Sequence, residues 1–185
     1  MAVFEPITYA VAIWIFAAAY ALHEAEEWNS LGWHRRNFLD MPAKETDTSL
    51  RTFLVFASIA GFTWAAVATV WGNPTVAALL FLPAVAVALQ NALQHVYWQF
   101  SFREYAPGVV TSVLLLIPGA IYLAVVAVGQ DYVPLWYVVG LALLVVPGLI
   151  LTVKAGHRLT QQFHAILRFS IALSRWLGRS QHEAL

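Results

Sequence analysis

Long blocks without charge are the feature that most constrains how this chain can fold. Five segments are almost free of charged residues: Ile7–Leu22, Thr52–Trp71, Thr75–Leu93, Val109–Val128 and Val133–Val153. A helix needs roughly 20 apolar residues to cross about 30 Å of hydrocarbon. In lipid, a helix also satisfies its own backbone hydrogen bonds, which an open strand does not. The sequence therefore predicts an all-α fold, a polytopic membrane helix bundle with five transmembrane helices.

The composition agrees with a membrane protein. Charged residues make up 11% of the chain, whereas soluble domains carry about 25%. The chain has no cysteine, which excludes a disulfide framework and a thiolate metal site. Its basic residues are divided among loops and a tail rather than gathered in one patch, so nucleic acid is not an expected partner. The expected partner is the lipid bilayer.

The distribution of basic residues predicts the orientation. With five crossings, the loops at residues 28–51 and 100–106 lie on the same side as the C-terminal tail, and together they hold all 10 Lys and Arg residues. Basic loops stay in the cytoplasm. We therefore expect a multi-pass protein of a bacterial inner (cytoplasmic) membrane, with its N-terminus outside and its C-terminus cytoplasmic.

The C-terminal segment has a different character from the five apolar blocks. Over residues 157–179 one helical face is apolar, and the opposite face carries Arg158, Arg168 and Arg175. This pattern is typical of a basic amphipathic helix on a membrane surface. The chain is therefore predicted to contain a transmembrane domain at residues 1–156, followed by a cytoplasmic-side amphipathic helix and tail at residues 157–185.

A charged turn ends the first apolar block. His23, Glu26 and Glu27 are spaced i, i+3 and i+4, so they share one face of a helix. Glu24 is expected to point away from that face by about a quarter turn. Polar residues inside a membrane segment usually face the interior of the bundle and mark function. This turn is therefore a candidate functional site.

A matching stripe lies on the third predicted helix. Asn91, Gln94 and His95 repeat the same spacing. The first and third predicted helices run in the same direction, so His23 and His95 are expected at a similar depth near the cytoplasmic side. The two stripes are therefore expected to form one site between these helices.

The residue types of this site favour a divalent metal. Clustered carboxylates repel one another unless they bind a proton or a cation. Paired Glu and His residues bind metals within helix bundles, and two histidines with carboxylates suit zinc, iron or manganese. We predict His23, Glu26, Glu27 and His95 as metal ligands. Asn91 and Gln94 are predicted to contact the ligands or a substrate.

Two other interpretations of the same residues remain open. In the first, Glu26 and Glu27 form ion pairs at the membrane surface, and their partners would be Arg35, Arg36 or Arg103. In the second, His23 and Glu27 bind zinc while Glu24 activates water, as in the zinc-protease helix motif. That motif has histidine at the position of Glu27, which weakens the match.

The loop after the third predicted helix supplies two more candidates. Arg103 could hold an anionic group, and Tyr105 could donate a proton or a hydrogen bond. Their structural alternative is an arginine at the inner leaflet and a tyrosine of the aromatic belt.

Three motifs together resemble a known family. The segment His23-Glu24-Ala25-Glu26-Glu27, the later His95, and Tyr105-Ala106-Pro107-Gly108 are similar in type and order to the motifs of the HXXEE-domain family of bacterial integral membrane proteins. The resemblance implies that His23, Glu26, Glu27, His95, Tyr105, Pro107 and Gly108 belong together. It implies that position 24 is variable, and it brings no known activity.

Three functions are compatible with these observations. The first is an integral membrane metal-binding protein, a metal-dependent hydrolase or oxidoreductase that acts near the cytoplasmic leaflet on a lipid or another apolar small molecule. In that case Glu26 or Glu27 would be the general base, assisted by Tyr105 and Arg103. The second is a proton- or cation-coupled transporter that uses the same cluster. The third is a non-catalytic membrane scaffold.

Overall fold

The computed structural model describes residues 7–182, and within that range the chain is helical with no strand. The termini of both predicted domains, residues 1–6 and 183–185, lie outside the described residues. Seven helices follow one another along the described chain: α1 (Tyr9–Glu26), α2 (Leu31–Asn37), α3 (Asp47–Thr69), α4 (Pro74–Phe102), α5 (Val109–Gly129), α6 (Leu135–Ala155) and α7 (Gln161–His182).

The helices begin where the sequence supplies side-chain caps. Thr46 and Ser49 form a reciprocal capping box at the start of α3. At α4, the Asn73 side chain accepts hydrogen bonds from two backbone N–H groups, and Pro74 occupies the first position. Such residues satisfy or remove the backbone N–H groups that a helix start leaves unpaired. The start of α5 has no cap of its own and depends on a carboxylate from another helix.

Four helices, α3 to α6, are long and apolar enough to cross a membrane by length and composition. The predicted count of five is therefore not confirmed. The first apolar block does form a helix, but α1 has 18 residues, and His23, Glu24 and Glu26 in its last turn lower its mean hydropathy. The all-α fold class agrees with the prediction over the described residues.

One further difference from the predicted elements is found at the polar end of the bundle, where the loop predicted at residues 28–51 contains the short helix α2 and the first turn of α3. Helix α4 carries His95 as predicted and continues to Phe102, slightly into the loop predicted at residues 100–106. Its last turns include His95 and Trp98, which are buried together with Trp33 of α2. The aromatic contacts of Trp33 with Trp98 and Phe102 explain why these segments are ordered.

Apolar residues of α1, α4 and α5 form the main core. Ile13 and Phe16 of α1 pack with Phe81 of α4 and with Leu116 and Leu123 of α5, and all five are buried. The Phe16 and Phe81 rings meet edge to face, with centroids 6.0 Å apart. This packing sets the depth of α1 relative to α4 and thereby positions the charged turn at the end of α1.

The C-terminal helix α7 is anchored by a buried carboxylate. Glu45 is fully buried, and its Oε1 accepts hydrogen bonds from Ser49 of α3 at 2.6 Å and from Ser170 of α7 at 2.7 Å. A second carboxylate, Asp40, accepts from the Leu159 N–H at 2.8 Å and lies 3.0 Å from His164 Nε2. Burial opposes ionisation of Asp40, but these two contacts lower its pKa below the usual range. The loop before α3 thus fixes α7 across the polar end of the bundle.

The contact between α1 and α5 generates a stability prediction. A Cβ added at Gly119 would lie 2.9 Å from Cδ2 of the buried Phe16 ring. Gly119→Ala should therefore lower the free energy of unfolding by about 1–3 kcal/mol, the typical cost of overpacking a core. Thermal unfolding of the protein in detergent measures the effect.

Gly140 of α6 provides the matched control, because a Cβ there meets nothing within 4 Å. Gly140→Ala should leave stability unchanged or raise it by up to about 1 kcal/mol through helix propensity. Equal melting temperatures for the two variants would contradict the proposed α1–α5 contact.

Candidate functional site

The buried Glu27 carboxylate lies between two imidazoles. Its Oε1 is 3.1 Å from His23 Nε2 and 3.1 Å from His95 Nε2. The side chain of Glu27 is 11% exposed and those of the two histidines are 0% and 3% exposed. Two histidines and a carboxylate that converge in this way could hold a metal ion. Three of the four predicted ligands are thus brought together.

The spacing of these atoms fits a small divalent cation. All three donor atoms lie within 4.8 Å of one another. Bonds of about 2.0–2.2 Å in a tetrahedral zinc site place neighbouring donors roughly 3.3 Å apart. The two observed distances of 3.1 Å are close to that separation. The third separation, between the two imidazole nitrogens, is within 4.8 Å, so the donor atoms would rearrange around a bound metal.

The protonation of His23 follows from its hydrogen bonds. Its Nδ1 lies 3.0 Å from Thr111 Oγ1, and that hydroxyl donates to Glu26 Oε2 over 2.6 Å, a length typical of a bond to an ionised carboxylate. The hydroxyl proton is thereby committed to Glu26, so Thr111 accepts a hydrogen bond from Nδ1–H. In a neutral imidazole, Nε2 then carries no proton, and its lone pair is on the side of the ring that faces Glu27.

In this tautomer, Nε2 has no proton to donate to Glu27 Oε1, which lies 3.1 Å away. The fixed Nδ1–H tautomer is the arrangement that metal-binding histidines adopt when a polar partner orients their second ring nitrogen. The Asn91 amide N–H donates a hydrogen bond of 2.9 Å to the same Nε2, so a metal bound there would replace that hydrogen bond. His95 Nδ1 is buried and has no hydrogen-bond partner, which leaves Nε2 as its point of polar contact with Glu27.

Glu26 has a different environment from Glu27. Its carboxylate accepts from the Thr111 hydroxyl, from the backbone N–H groups of Val110 and Thr111 at 3.1 and 2.8 Å, and from the Tyr105 hydroxyl. A carboxylate at these N–H groups caps the start of α5 and interacts favourably with the helix dipole. Glu26 therefore binds α5 and, through Thr111, orients His23, and it does not belong to the three-residue metal group.

Gly108 holds the two imidazoles from one side. Its backbone has φ +90°, and a Cβ there would lie 2.8 Å from His23 Cε1 and 3.0 Å from His95 Cε1. Only glycine combines this conformation with such a close approach. The Tyr-x-Pro-Gly segment thus contributes in two ways, because Tyr105 binds Glu26 and Gly108 packs against the histidines.

Other predicted residues lie farther from the centre. Arg103 ends α4 in a left-handed conformation with φ 54°, is exposed and does not line the cavity described below. Partial burial and the adjacent Glu26 carboxylate raise the pKa of Tyr105 to about 12, so its hydroxyl remains protonated and donates. Gln94 donates to Thr152 Oγ1 of α6 at 2.5 Å. The alternative of arginine pairs for Glu26 and Glu27 is not found among the described ion pairs.

Sequence reasoning missed two residues near the site. Glu24, expected to point away, is buried and lines the cavity, because the opposite side of α1 is covered by α3. His34, to which no role was assigned, is also buried and lines the cavity, because α2 packs against the aromatic cluster of α4. Burial lowers the pKa of His34 to about 4, so its imidazole is neutral at neutral pH. The apolar side chains of Leu31 and Trp33 were the sequence signal from which the burial of this turn, and of His34 in it, could have been predicted.

Two other histidines contact the end of α2 and the loop that follows it. His157 Nδ1 lies 3.1 Å from the Asn37 backbone oxygen, and His164 is bound to Asp40. Neither belongs to the metal group.

A cavity of about 710 Å³ adjoins the site. Its polar wall includes Glu27 and Asn91, and its apolar wall is formed by residues of α1, α3 and α4. Phe56, Trp64 and Val87 line the cavity and are 44%, 42% and 72% exposed, so it opens sideways between the middle parts of α3 and α4. The cavity has the size of a small-molecule site and brings the carboxylate of Glu27 within reach of a ligand.

The position of Gly108 gives a direct test of the site's packing. Gly108→Ala should destabilise the protein by about 1–3 kcal/mol for its backbone conformation and by about 1–3 kcal/mol more for the clash with both imidazoles. Gly72 is the control, because it has φ +62° but nothing within 4 Å of an added Cβ. Gly72→Ala should therefore show the conformational cost alone. Equal losses in thermal unfolding would contradict the close approach of Gly108 to the histidines.

The comparisons with known proteins agree with the residues just described. No curated protein and no solved structure matches the chain. A family model described as a protein of unknown function with an HXXEE motif matches residues 14–123, a range that includes the three-residue metal group, Glu26 and Gly108. The family predicted from the three motifs is thereby confirmed: the chain belongs to the HXXEE family, whose function is unknown.

Proposed function

We propose that this chain is a membrane-embedded metalloenzyme that binds one divalent metal through His23, Glu27 and His95. The observation that carries the proposal is the shared contact of Glu27 Oε1 with both Nε2 atoms at 3.1 Å. Two histidines and one carboxylate leave a coordination position open, as catalytic zinc and non-haem iron sites do. The adjoining cavity supplies the space in which a substrate would meet that position.

The chemistry of the donors supports a metal more strongly than a polar network alone. A buried carboxylate without a counter-charge is costly, and the Nδ1–H tautomer of His23 leaves no proton on the nitrogen that faces Glu27. A divalent cation would compensate the carboxylate and bind both Nε2 atoms, taking the place of the Asn91 hydrogen bond at His23. Glu24 on the cavity wall is a second carboxylate, available as a general base for a metal-bound water.

The identity of the metal decides the class of reaction. Zinc would polarise a carbonyl or phosphoryl group and lower the pKa of a bound water, which supports hydrolysis. Iron in a site of two histidines and one carboxylate would support oxygen chemistry. The lateral opening of the cavity into the apolar belt favours a lipid or another apolar molecule as substrate in either case.

The proposed topology has five spans, with α1 crossing the membrane beside α3 to α6. Its described outward side chains, including Trp14, Ile15 and Leu22, are apolar and more than 40% exposed, as expected for a surface in contact with lipid. The N-terminus would lie outside, and the basic loops and α7 would lie at the cytoplasmic face of a bacterial inner membrane. The metal site would then lie near the cytoplasmic leaflet.

A metal-binding measurement tests the proposal. Purified protein supplied with zinc or ferrous iron should bind about one equivalent, and Glu27→Gln should weaken binding by at least roughly 100-fold because a charged ligand is lost. Glu104→Gln is the matched control, since Glu104 lies outside the metal group and contacts Asn37 and Arg36. Folded wild-type protein that binds neither metal would contradict the proposal.

The hydrogen bond of His23 to Thr111 gives a second test. Thr111→Val keeps the shape of the side chain but removes the hydroxyl that fixes the tautomer of His23. Metal affinity should fall about 10- to 100-fold, as for other partners that orient a metal ligand, and the metal-free protein should lose about 1.5–3 kcal/mol of stability with the bond to Glu26. Thr63→Val is the control, because its hydroxyl bonds only to the Ile59 backbone at an exposed position. Unchanged metal affinity in Thr111→Val would exclude this tautomer as the binding form.

A further inference from the structure

The cavity beside the metal group combines two kinds of wall. Toward the polar end of the bundle it is lined by Glu24, Glu27, Gln94 and Arg158, and toward the middle of the bundle by aromatic and small apolar residues of α1, α3 and α4. The first wall can hydrogen-bond a polar group, and the second can bind only an apolar one. A ligand that fits the whole cavity is therefore an amphiphile, with its head at the polar wall and its chain toward the opening between α3 and α4.

The charges of the polar wall indicate the sign of the head group. Arg158 is the one Arg or Lys among the described residues that line the cavity. Its guanidinium has no carboxylate partner among the ion pairs of the described chain. With a divalent cation at Glu27, the two wall carboxylates are balanced and the guanidinium remains as one positive charge. An anionic head group complements that charge, and phosphate or carboxylate matches the planar fork of arginine.

The residues of the apolar wall are of the types expected to bind an acyl chain. It includes the aromatic rings of Phe16, Phe53 and Phe56 and the small side chains of Ala57, Ala60 and Ala84. Small residues on facing helices leave room along the groove, and the exposed Val87 marks its exit to the surface between α3 and α4. A chain can thus extend from the polar end of the bundle toward the hydrocarbon without crossing a polar barrier.

We propose that the cavity binds an anionic amphiphile, an acyl chain with a phosphate or carboxylate head group. The head group would lie between the metal group and Arg158, and the chain would leave between α3 and α4. This inference names the substrate class of the proposed metalloenzyme and rests on that function. Arg158 is the specificity-determining residue, because it recognises the charge of the head group.

Binding of defined lipids to the zinc-loaded protein in a neutral detergent tests the inference, with native mass spectrometry and thermal stabilisation as measurements. Lysophosphatidic acid should bind about tenfold or more tightly than a monoacylglycerol of the same chain, the difference expected for a charge-assisted contact. Arg158→Gln should reduce that preference to roughly threefold or less. Arg168→Gln, on the exposed side of α7 and outside the cavity lining, should keep the wild-type preference.

Inorganic phosphate separates a lipid head group from a soluble anion. At equal concentration it should neither stabilise the protein nor displace the lysophospholipid, because it lacks the chain that fills the apolar wall. Equal binding of inorganic phosphate and lysophosphatidic acid would overturn the proposal that the ligand is an amphiphile. Equal binding of the anionic and neutral lipids by the wild type would overturn the role of Arg158.

A second pair of variants tests the path of the chain even if Arg158→Gln folds poorly. Ala60→Phe places a ring on the cavity wall of α3, whereas Ala66→Phe places one on an exposed site of the same helix outside the lining. Long-chain lysophosphatidic acid should bind less tightly to Ala60→Phe, and a short-chain analogue should be unaffected. Equal affinities of both variants for the long chain would overturn the proposed exit between α3 and α4.

Metal content keeps this inference separable from the proposed function. Arg158→Gln should bind as much zinc as the wild type, because Arg158 is not a member of the metal group. Normal zinc binding without a preference for anionic lipid would overturn the substrate class alone. Absence of zinc and iron from a folded protein would overturn the metalloenzyme, whatever lipid the cavity binds.

Discussion

The contact of one carboxylate with two imidazoles is the interaction on which the arrangement of this bundle depends. Glu27 is buried beside His23 and His95, and a buried carboxylate is tolerated only with strong compensating partners. Those partners come from the same turn of α1 and from α4, so the two helices must meet at a fixed depth. The apolar core between α1 and α4 is compatible with that depth. Because hydrophobic packing is non-directional, the core alone would also allow the two helices to shift slightly along each other.

Contacts of Thr111, Glu26 and Gly108 position the residues of this centre. Thr111 orients His23, and Glu26 holds the start of α5, so a single carboxylate joins the end of one helix to the beginning of another. Gly108 closes the remaining side against both rings. The two glutamates of the HXXEE motif therefore have different roles: Glu27 faces the histidines, and Glu26 helps to position them. The described core toward the opposite end of the bundle is apolar, which gives a proton or cation path less support than a closed site.

Much of this arrangement could be predicted from the sequence, because apolar block length and i, i+3, i+4 spacing depend on local geometry alone. These patterns predicted the helices, the shared face of His23 and Glu27, and the approach of His95. They could not separate Glu26 from Glu27, because both occupy the same face and differ only in what α5 brings to them. They also placed Glu24 outside the site, since spacing within α1 does not reveal that α3 covers its other side.

The predicted loop at residues 28–51 failed for a related reason. Trp33 and His34 are buried by contacts with α4 and with Phe163 of α7, which no local pattern encodes. Arg158 was read as part of a basic surface, although the turn before α7 brings it to the cavity wall. Long-range packing thus decides which of the polar residues at this end of the bundle belong to the site.

The cap that Glu26 provides to α5 has a consequence for biosynthesis. The residues that build this centre belong to α1, α4 and α5 and to the loop before α5, which are far apart in the chain. The charged turn of α1 is made first, and its Glu26 carboxylate has no helix start to cap until the loop of Gly108 and the first residues of α5 follow. The centre is therefore complete only after α5 has been made, and a cation bound at that stage would join helices that were synthesised at different times.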